Sequence, residues 1–218
     1  MGRTSAALTP ARAEQPPFVR RLEAGERQAE GLIPLIGDLM TGAGVAFSAL
    51  DRIAVCIGPG GFSGIRTGVA AARAIGLAAG VPVVGATSFQ IMAASFEKKG
   101  NVPDAYGLAA PAGLSAVFCQ ILGRGGIALT EILALAHADA AAFFEGRAEV
   151  LAGPAAGPLV ESGYVSLPVM SAGLMPDAET LAGIAPALDP GRDVPSPYYV
   201  RPADARPQDG HIIPRKED

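Results

Sequence analysis

The sequence predicts an α/β fold, and three observations predict it. Residues 53–85 read as strand, glycine loop, helix and strand. Residues 105–133 read as short strands separated by turn residues. Half of the 218 residues are hydrophobic and 17% are charged, which suits one large or two small domains with a real core.

The first of these units is the most legible. Ile53-Ala54-Val55-Cys56-Ile57 is apolar at consecutive positions, the pattern of a strand covered on both faces, and it stops at Gly58-Pro59-Gly60-Gly61. Val69, Ala72, Arg73, Gly76 and Leu77 then return at helical spacing until Gly80-Val81-Pro82 breaks the pattern, and Val81–Gly85 is a second apolar run. A strand, helix, strand unit of this kind pairs its strands in parallel through a right-handed crossover.

The flanking elements follow in order. Residues 1–27 are the least regular, with Pro10, Pro16 and Pro17 among scattered arginines, and only Thr4–Leu8 offers a short strand. From Gln28 to Met40, Ala29, Leu32, Ile33, Leu35, Ile36, Leu39 and Met40 fall mostly on one side of a helix that Gly42 and Gly44 end. A turn at residues 48–51 leads into the glycine-loop strand. Beyond Phe89 a helix runs through Ala94, and Lys98-Lys99-Gly100-Asn101 makes a polar linker. The second half reads as strands at 106–110 and 116–122 around Pro111-Ala112-Gly113, and a third strand after residues 123–126. An alanine-rich helical stretch within 130–144, a short strand at 149–151, a glycine and proline loop at 153–163 and a last helix at 177–188 follow. The expected domains are residues 1–100, residues 101–194 and an extended tail, 195–218, rich in proline and charge.

Net charge is −4, which gives no field for holding nucleic acid directly. Cys56 and Cys119 both lie in apolar runs and read as core thiols rather than a disulfide frame. No run is long enough to span a bilayer and no apolar signal core opens the chain, so a cytoplasmic protein is expected.

The chemical inventory is thin. The glycine loop has two readings: its backbone N–H groups and the helix end behind them cradle an anion, or Gly58, Gly60, Gly61 and Gly64 only permit a turn and a close helix–strand approach. Arg66 is correspondingly an anion ligand or a surface side chain. There is no G-x-x-x-x-G-K-[ST], and the spacing is not that of a dinucleotide fingerprint. His137 and His211 are the only histidines, too few for a histidine metal cluster or a Ser-His-Asp triad, and Ser63 lies outside any G-x-S-x-G elbow. Asp51, Asp104, Asp139 and Asp177 begin turns or helices, where capping accounts for them. No catalytic or metal-ligating residue is expected.

Three segments, in order, resemble one family. "GPGGFSGIRTGVAAARAIGLAAGVPVVGATSF" is similar to the GPGSFTGLRIG segment, its helix and its P-x-x-G-x-S strand in the TsaB (YeaZ) family of bacterial tRNA threonylcarbamoyladenosine biosynthesis proteins. "ERQAEGLIPLIGDLMTGAG" looks like that family's HAE-x-L-x-P-x-I helix, and "PSPYYVRPADAR" like its closing P-x-Y-x-R-x-P-x-A tail. The resemblance implies an actin-like, Hsp70-like ATPase (ASKHA) fold of two lobes in a protein that is not itself the catalyst. It implies a homodimer when alone and pairing with the catalytic subunit TsaD through the helices at 28–40 and 66–79. That interface would comprise Ala29, Leu32, Ile33, Ile36, Met40, Val69, Ala72, Arg73 and Gly76. With the ATPase TsaE, the complex would use ATP and place threonylcarbamoyl on the adenosine beside the anticodon. The subunit would have no cofactor of its own and would reach tRNA only through the complex. Gly58, Gly60, Gly61, Ser63, Gly64 and Arg66 would be an inherited nucleotide-fold loop. The alternative is an independent nucleotide-dependent transferase or glycoprotease-like peptidase of the same superfamily.

The sequence also departs from the family pattern. Gly61 and Ser63 replace a serine and a threonine, Gln28 stands where histidine is common, and a D-A-R turn is absent around Pro111–Gly113. The family's opening strand, which ends in D-T and lies centrally in the first sheet, has no counterpart after Met1. The expectation is that the native reading frame supplies such a strand upstream, or that residues 10–22 take its place.

Overall fold

The computed structural model describes residues 4–10, 16–22 and 28–200. It opens with an antiparallel hairpin of β1 (Ser5–Leu8) and β2 (Phe18–Arg21). Helix α1 (Gln28–Ala43) follows, with Leu35, Leu39 and Met40 turned inward. After a 3-10 turn at Phe47–Ala49 come β3 (Ile53–Gly58), α2 (Phe62–Ala79) and β4 (Val83–Thr87), and the two strands pair in parallel. Gly80, left-handed at φ 70°, ends α2. Helix α3 (Ser88–Glu97) starts with a capping box in which the Thr87 hydroxyl accepts from the Gln90 N–H and the Gln90 side chain accepts from the Thr87 N–H.

The second half is built on one mixed sheet. Its strands are β5 (Ala105–Pro111), β6 (Ala116–Gly123), β7 (Ile127–Ala128), β8 (Leu133–Ala136), β9 (Val150–Ala152) and β10 (Val169–Ser171). The spatial order is β10-β9-β5-β6, with both β7 and β8 antiparallel on the far edge of β6. Helices α4 (His137–Phe144), α5 (Ala156–Glu161) and α6 (Ala178–Ile184) are the α-helices of this half among the described residues.

Alternation along the strands sorts the side chains into separate cores. Val117, Cys119 and Ile121 of β6 join Phe143 and Phe144 of α4 and Leu159 of α5. Phe118 and Leu122, at the alternate positions, join Tyr106, Leu108 and the α3 residues Phe89, Met92 and Phe96. The same rule divides β3. Ile53, Val55 and Ile57 meet Val69 and Ala72 of α2, while Ala54 and Cys56 meet Ile91 of α3 and Leu181 of α6. Helices therefore cover β3 on both faces, as its unbroken apolar run requires.

Several expectations change at short elements. The helical stretch expected within 130–144 is α4, and the residues before it, 133–136, form the strand β8, which was not expected. The loop expected at 153–163 contains α5, and the three-residue β10 has no periodicity by which to be seen. Residues 18–21, in the stretch offered as the alternative occupant of the vacant central place, form β2 and pair with β1. Among the described residues β1–β2 and β3–β4 are two separate two-stranded sheets. Helix α6 packs against both β1 and β3. It is tied down by Arg52, whose Nη1 donates to the carbonyls of Ala185 at 2.8 Å and Leu188 at 2.6 Å. That guanidinium closes the C-terminal end of α6, where carbonyls lack helical partners and positive charge is favoured.

Candidate functional site

The glycine loop leaves the C-terminal end of β3. Gly58 has φ 98°, so the backbone requires glycine there, and a Cβ would also crowd Ile65 Cδ1 at 2.6 Å and the Tyr198 carbonyl at 3.3 Å. At Gly61 and Gly64 a Cβ would meet nothing within 4 Å, and at Gly60 only Ile65 Cδ1 at 3.8 Å. The close helix–strand approach lies instead at Gly76, where a Cβ would overlap the Val83 side chain and approach the Val81 carbonyl to 2.9 Å. The buried Ser88 hydroxyl holds the loop from below by donating to the Pro59 carbonyl at 2.7 Å.

The chain's own later segment crosses this loop. The Gly85 N–H donates to the Asp193 carbonyl at 2.7 Å and the Tyr198 N–H to the Ile57 carbonyl at 2.8 Å, so residues 193–198 lie over the C-terminal ends of β4 and β3. Gly85 allows this because a Cβ would lie 3.1 Å from the Val194 carbonyl oxygen and 2.6 Å from Ile57 Cγ2. Tyr199 then reaches α2. Arg66 Nε donates to the Tyr199 hydroxyl at 2.8 Å, the guanidinium lies 3.7 Å from the Phe62 ring centroid, and the two rings are 5.5 Å apart. Gly60, Gly61, Ser63, Gly64 and Arg66 are exposed, and neither a lysine nor an acidic residue lies in this loop or the first turn of α2. In open parallel α/β sheets the carboxyl ends of the strands are where ligands bind. Here residues 193–199 occupy that position.

The residues expected at a partner interface divide by burial. Met40, Val69, Ala72 and Gly76 are inside the protein's own core, so they shape α1 and α2 without being offered to another molecule. Leu32 and Ile36 are half-buried, Ile33 is 54% exposed, Arg73 is exposed and Ala29 lies in the first turn of α1. The surface on these helices is therefore narrower than expected and includes residues outside that set. Leu77, 88% exposed, and Phe62, 41% exposed, extend it along α2. Their apolar character was readable in the sequence. Their outward direction was not, because a helix this rich in glycine and alanine carries a weak polar face. Tyr199 lies in the segment 195–206 that resembles the family's closing motif, but no sequence signal joined it to Arg66.

The remaining candidates have structural places. His137, at the start of α4, packs its ring 5.7 Å from that of Tyr164, and His211 lies outside the described residues. Asp177 caps α6 through the Thr180 N–H, whereas Asp104 pairs with Arg124 at 2.9 Å. Burial pushes the thiols of Cys56 and Cys119 up, the latter to about 12, which keeps Cys119 protonated and unreactive. Among the described residues no group of three His, Cys, Asp or Glu side chains is placed to hold a metal, and no helix is long and apolar enough to cross a membrane.

Comparison with known proteins gives these features a lineage. The family model described as TsaD, tRNA N6-adenosine threonylcarbamoyltransferase, matches residues 22–162. The tRNA N6-adenosine threonylcarbamoyltransferase of Erythrobacter litoralis is 43% identical over 61 residues, covering 28% of this chain and 18% of that protein. The tRNA threonylcarbamoyladenosine biosynthesis protein TsaB of Escherichia coli is 31% identical over 62 residues, covering 28% of this chain and 27% of that protein. These matches span 18% and 27% of the relatives' own lengths. Among solved structures, YeaZ from Pseudomonas aeruginosa superposes with a TM-score of 0.70 at 25% identity, covering 89% of this chain and 93% of that one. A further Pseudomonas aeruginosa structure, of an uncharacterized protein with similarity to peptidase YEAZ, gives 0.72, covering 90% and 94%. The matched profile over most of the glycine-loop half and the central sheet, together with these neighbours, means that the chain belongs to the threonylcarbamoyltransferase family, in its TsaB/YeaZ branch, with an actin-like ATPase-type fold.

Proposed function

We propose that this chain is a non-catalytic subunit for threonylcarbamoyladenosine formation beside the anticodon of tRNA, acting by docking on a TsaD-type catalytic subunit. The names of its relatives support the pathway. The observation that carries the subunit role is the glycine loop. It has no lysine or acidic residue, and residues 193–199 lie across the strand ends where a nucleotide would approach. The docking face is the outer side of α1 and α2, where Ile33 and Leu77 project. Alone, the chain forms a homodimer in the cytoplasm and has no cofactor of its own. ATP is consumed by the complex through a TsaE-type ATPase, and tRNA is reached through that complex.

The test is reconstitution. The purified chain co-elutes with a TsaD-type subunit, and adding it to TsaD- and TsaE-type proteins restores threonylcarbamoyladenosine on tRNA, read by nucleoside mass spectrometry. Ile33→Glu abolishes co-elution while leaving the circular dichroism spectrum unchanged. Modification by the chain alone, with no TsaD-type protein, refutes the reading.

A further inference from the structure

The exposed side of α2 has an unusual composition. Phe62, Arg66, Arg73 and Leu77 stand at i, i+4, i+11 and i+15, which at 100° per residue places them within about 60° of one another. All four are exposed. The helix contains these two arginines and no acidic residue, in a chain whose net charge is −4. Neither arginine has a carboxylate in ion-pair range among the described residues.

The two arginines are not equivalent. Arg66 is held on two sides, its Nε hydrogen-bonded to Tyr199 and its plane against Phe62. A guanidinium fixed in this way keeps both Nη groups free in a fork matched to a carboxylate, and less side-chain entropy is lost when it binds one. Arg73 lies two turns along, about 10 Å by helical rise.

Resting on the subunit reading above, we infer that this stripe receives two carboxylates of the catalytic subunit, and that Tyr199 sets the affinity by positioning Arg66. The partner surface is an apolar helix face with acidic side chains about 10 Å apart, the spacing of i and i+7 on an opposing helix. Charge complementarity selects such a partner, because two copies of the stripe facing each other bring four arginines together with no counter-charge of their own.

Tyr199→Phe removes one oxygen, and Arg66→Lys keeps the charge but loses the fork. Both variants and the double variant are titrated against a purified TsaD-type subunit by calorimetry at low and high salt, with sedimentation of each variant alone. Each single change weakens binding roughly tenfold, as expected for a hydrogen bond to a charged group. Tyr199→Phe then adds little in the Arg66→Lys background, because it acts through Arg66. Wild-type binding weakens with salt. Unchanged affinity in the single variants overturns the inference, as do fully additive losses, salt-independent binding, or a change in self-association with partner affinity intact. Failure of the wild type to bind any TsaD-type subunit refutes the subunit reading itself.

Discussion

The Tyr199 hydroxyl accepts a 2.8 Å hydrogen bond from Arg66 Nε, linking residues 133 positions apart in the chain. This bond closes a longer clasp, in which the backbones of Asp193 and Tyr198 are already hydrogen-bonded to Gly85 and Ile57. An exposed side-chain bond of this kind contributes little to stability, whereas the glycine under the clasp is sterically required.

Gly85→Ala is therefore more damaging to the fold than Tyr199→Phe. The new Cβ, 2.6 Å from Ile57 Cγ2 and 3.1 Å from the Val194 carbonyl, forces the clasp off the strand ends. A loss of about 1–3 kcal/mol is expected, against less than about 1 kcal/mol for Tyr199→Phe. Urea denaturation of the two variants measures the difference, and proteolysis near residue 195 accelerates only in Gly85→Ala.

Two glycines of α2 respond oppositely to alanine. Gly76→Ala drives a methyl into Val83 and the Val81 carbonyl and destabilises by about 1–3 kcal/mol. Gly64→Ala meets open space at an ordinary helical φ and stabilises by up to about 1 kcal/mol. Thermal melts that shift the same way for both would refute this account of the helix–strand contact.

Removing Arg52 loosens α6. Arg52→Met leaves the carbonyls of Ala185 and Leu188 without their donor, at an expected loss of about 1–3 kcal/mol. Because α6 packs on β1 and β3, hydrogen exchange should accelerate in α6 and in those two strands and stay unchanged in β5 and β6. A uniform acceleration would mean that Arg52 stabilises the whole molecule rather than one docked helix.

Alkaline stability carries the mark of Cys119. Burial raises its thiol from the ordinary 9.0 to about 12, so the folded chain holds this proton after the unfolded chain has released it. The corresponding stability is complete below pH 9 and is lost as pH rises from 9 towards 12. Cys119→Ala should flatten this decline in denaturation midpoints measured across that range. Ellman's reagent should label Cys119 only after unfolding.

The sequence by itself determined the elements whose signals are long and local. The run Ile53–Ile57, the helical return from Val69 to Leu77 and the stop at Gly80 define β3, α2 and its end, because burial on two faces and a left-handed cap each leave a mark within a few residues. The family was legible for the same reason, in three short motifs in order. Tertiary structure alone decided which apolar residues of α1 and α2 face inward. Leu39 and Met40 are buried while Ile33 is not, since an alanine- and glycine-rich pair of helices offers little polar contrast to orient it. It also decided that, among the described residues, β1–β2 and β3–β4 are separate sheets, and that α6 packs against both β1 and β3. The clasp was beyond the sequence's reach. Its two backbone bonds join residues 108 and 141 positions apart, and a backbone hydrogen bond imposes almost no side-chain preference on either partner.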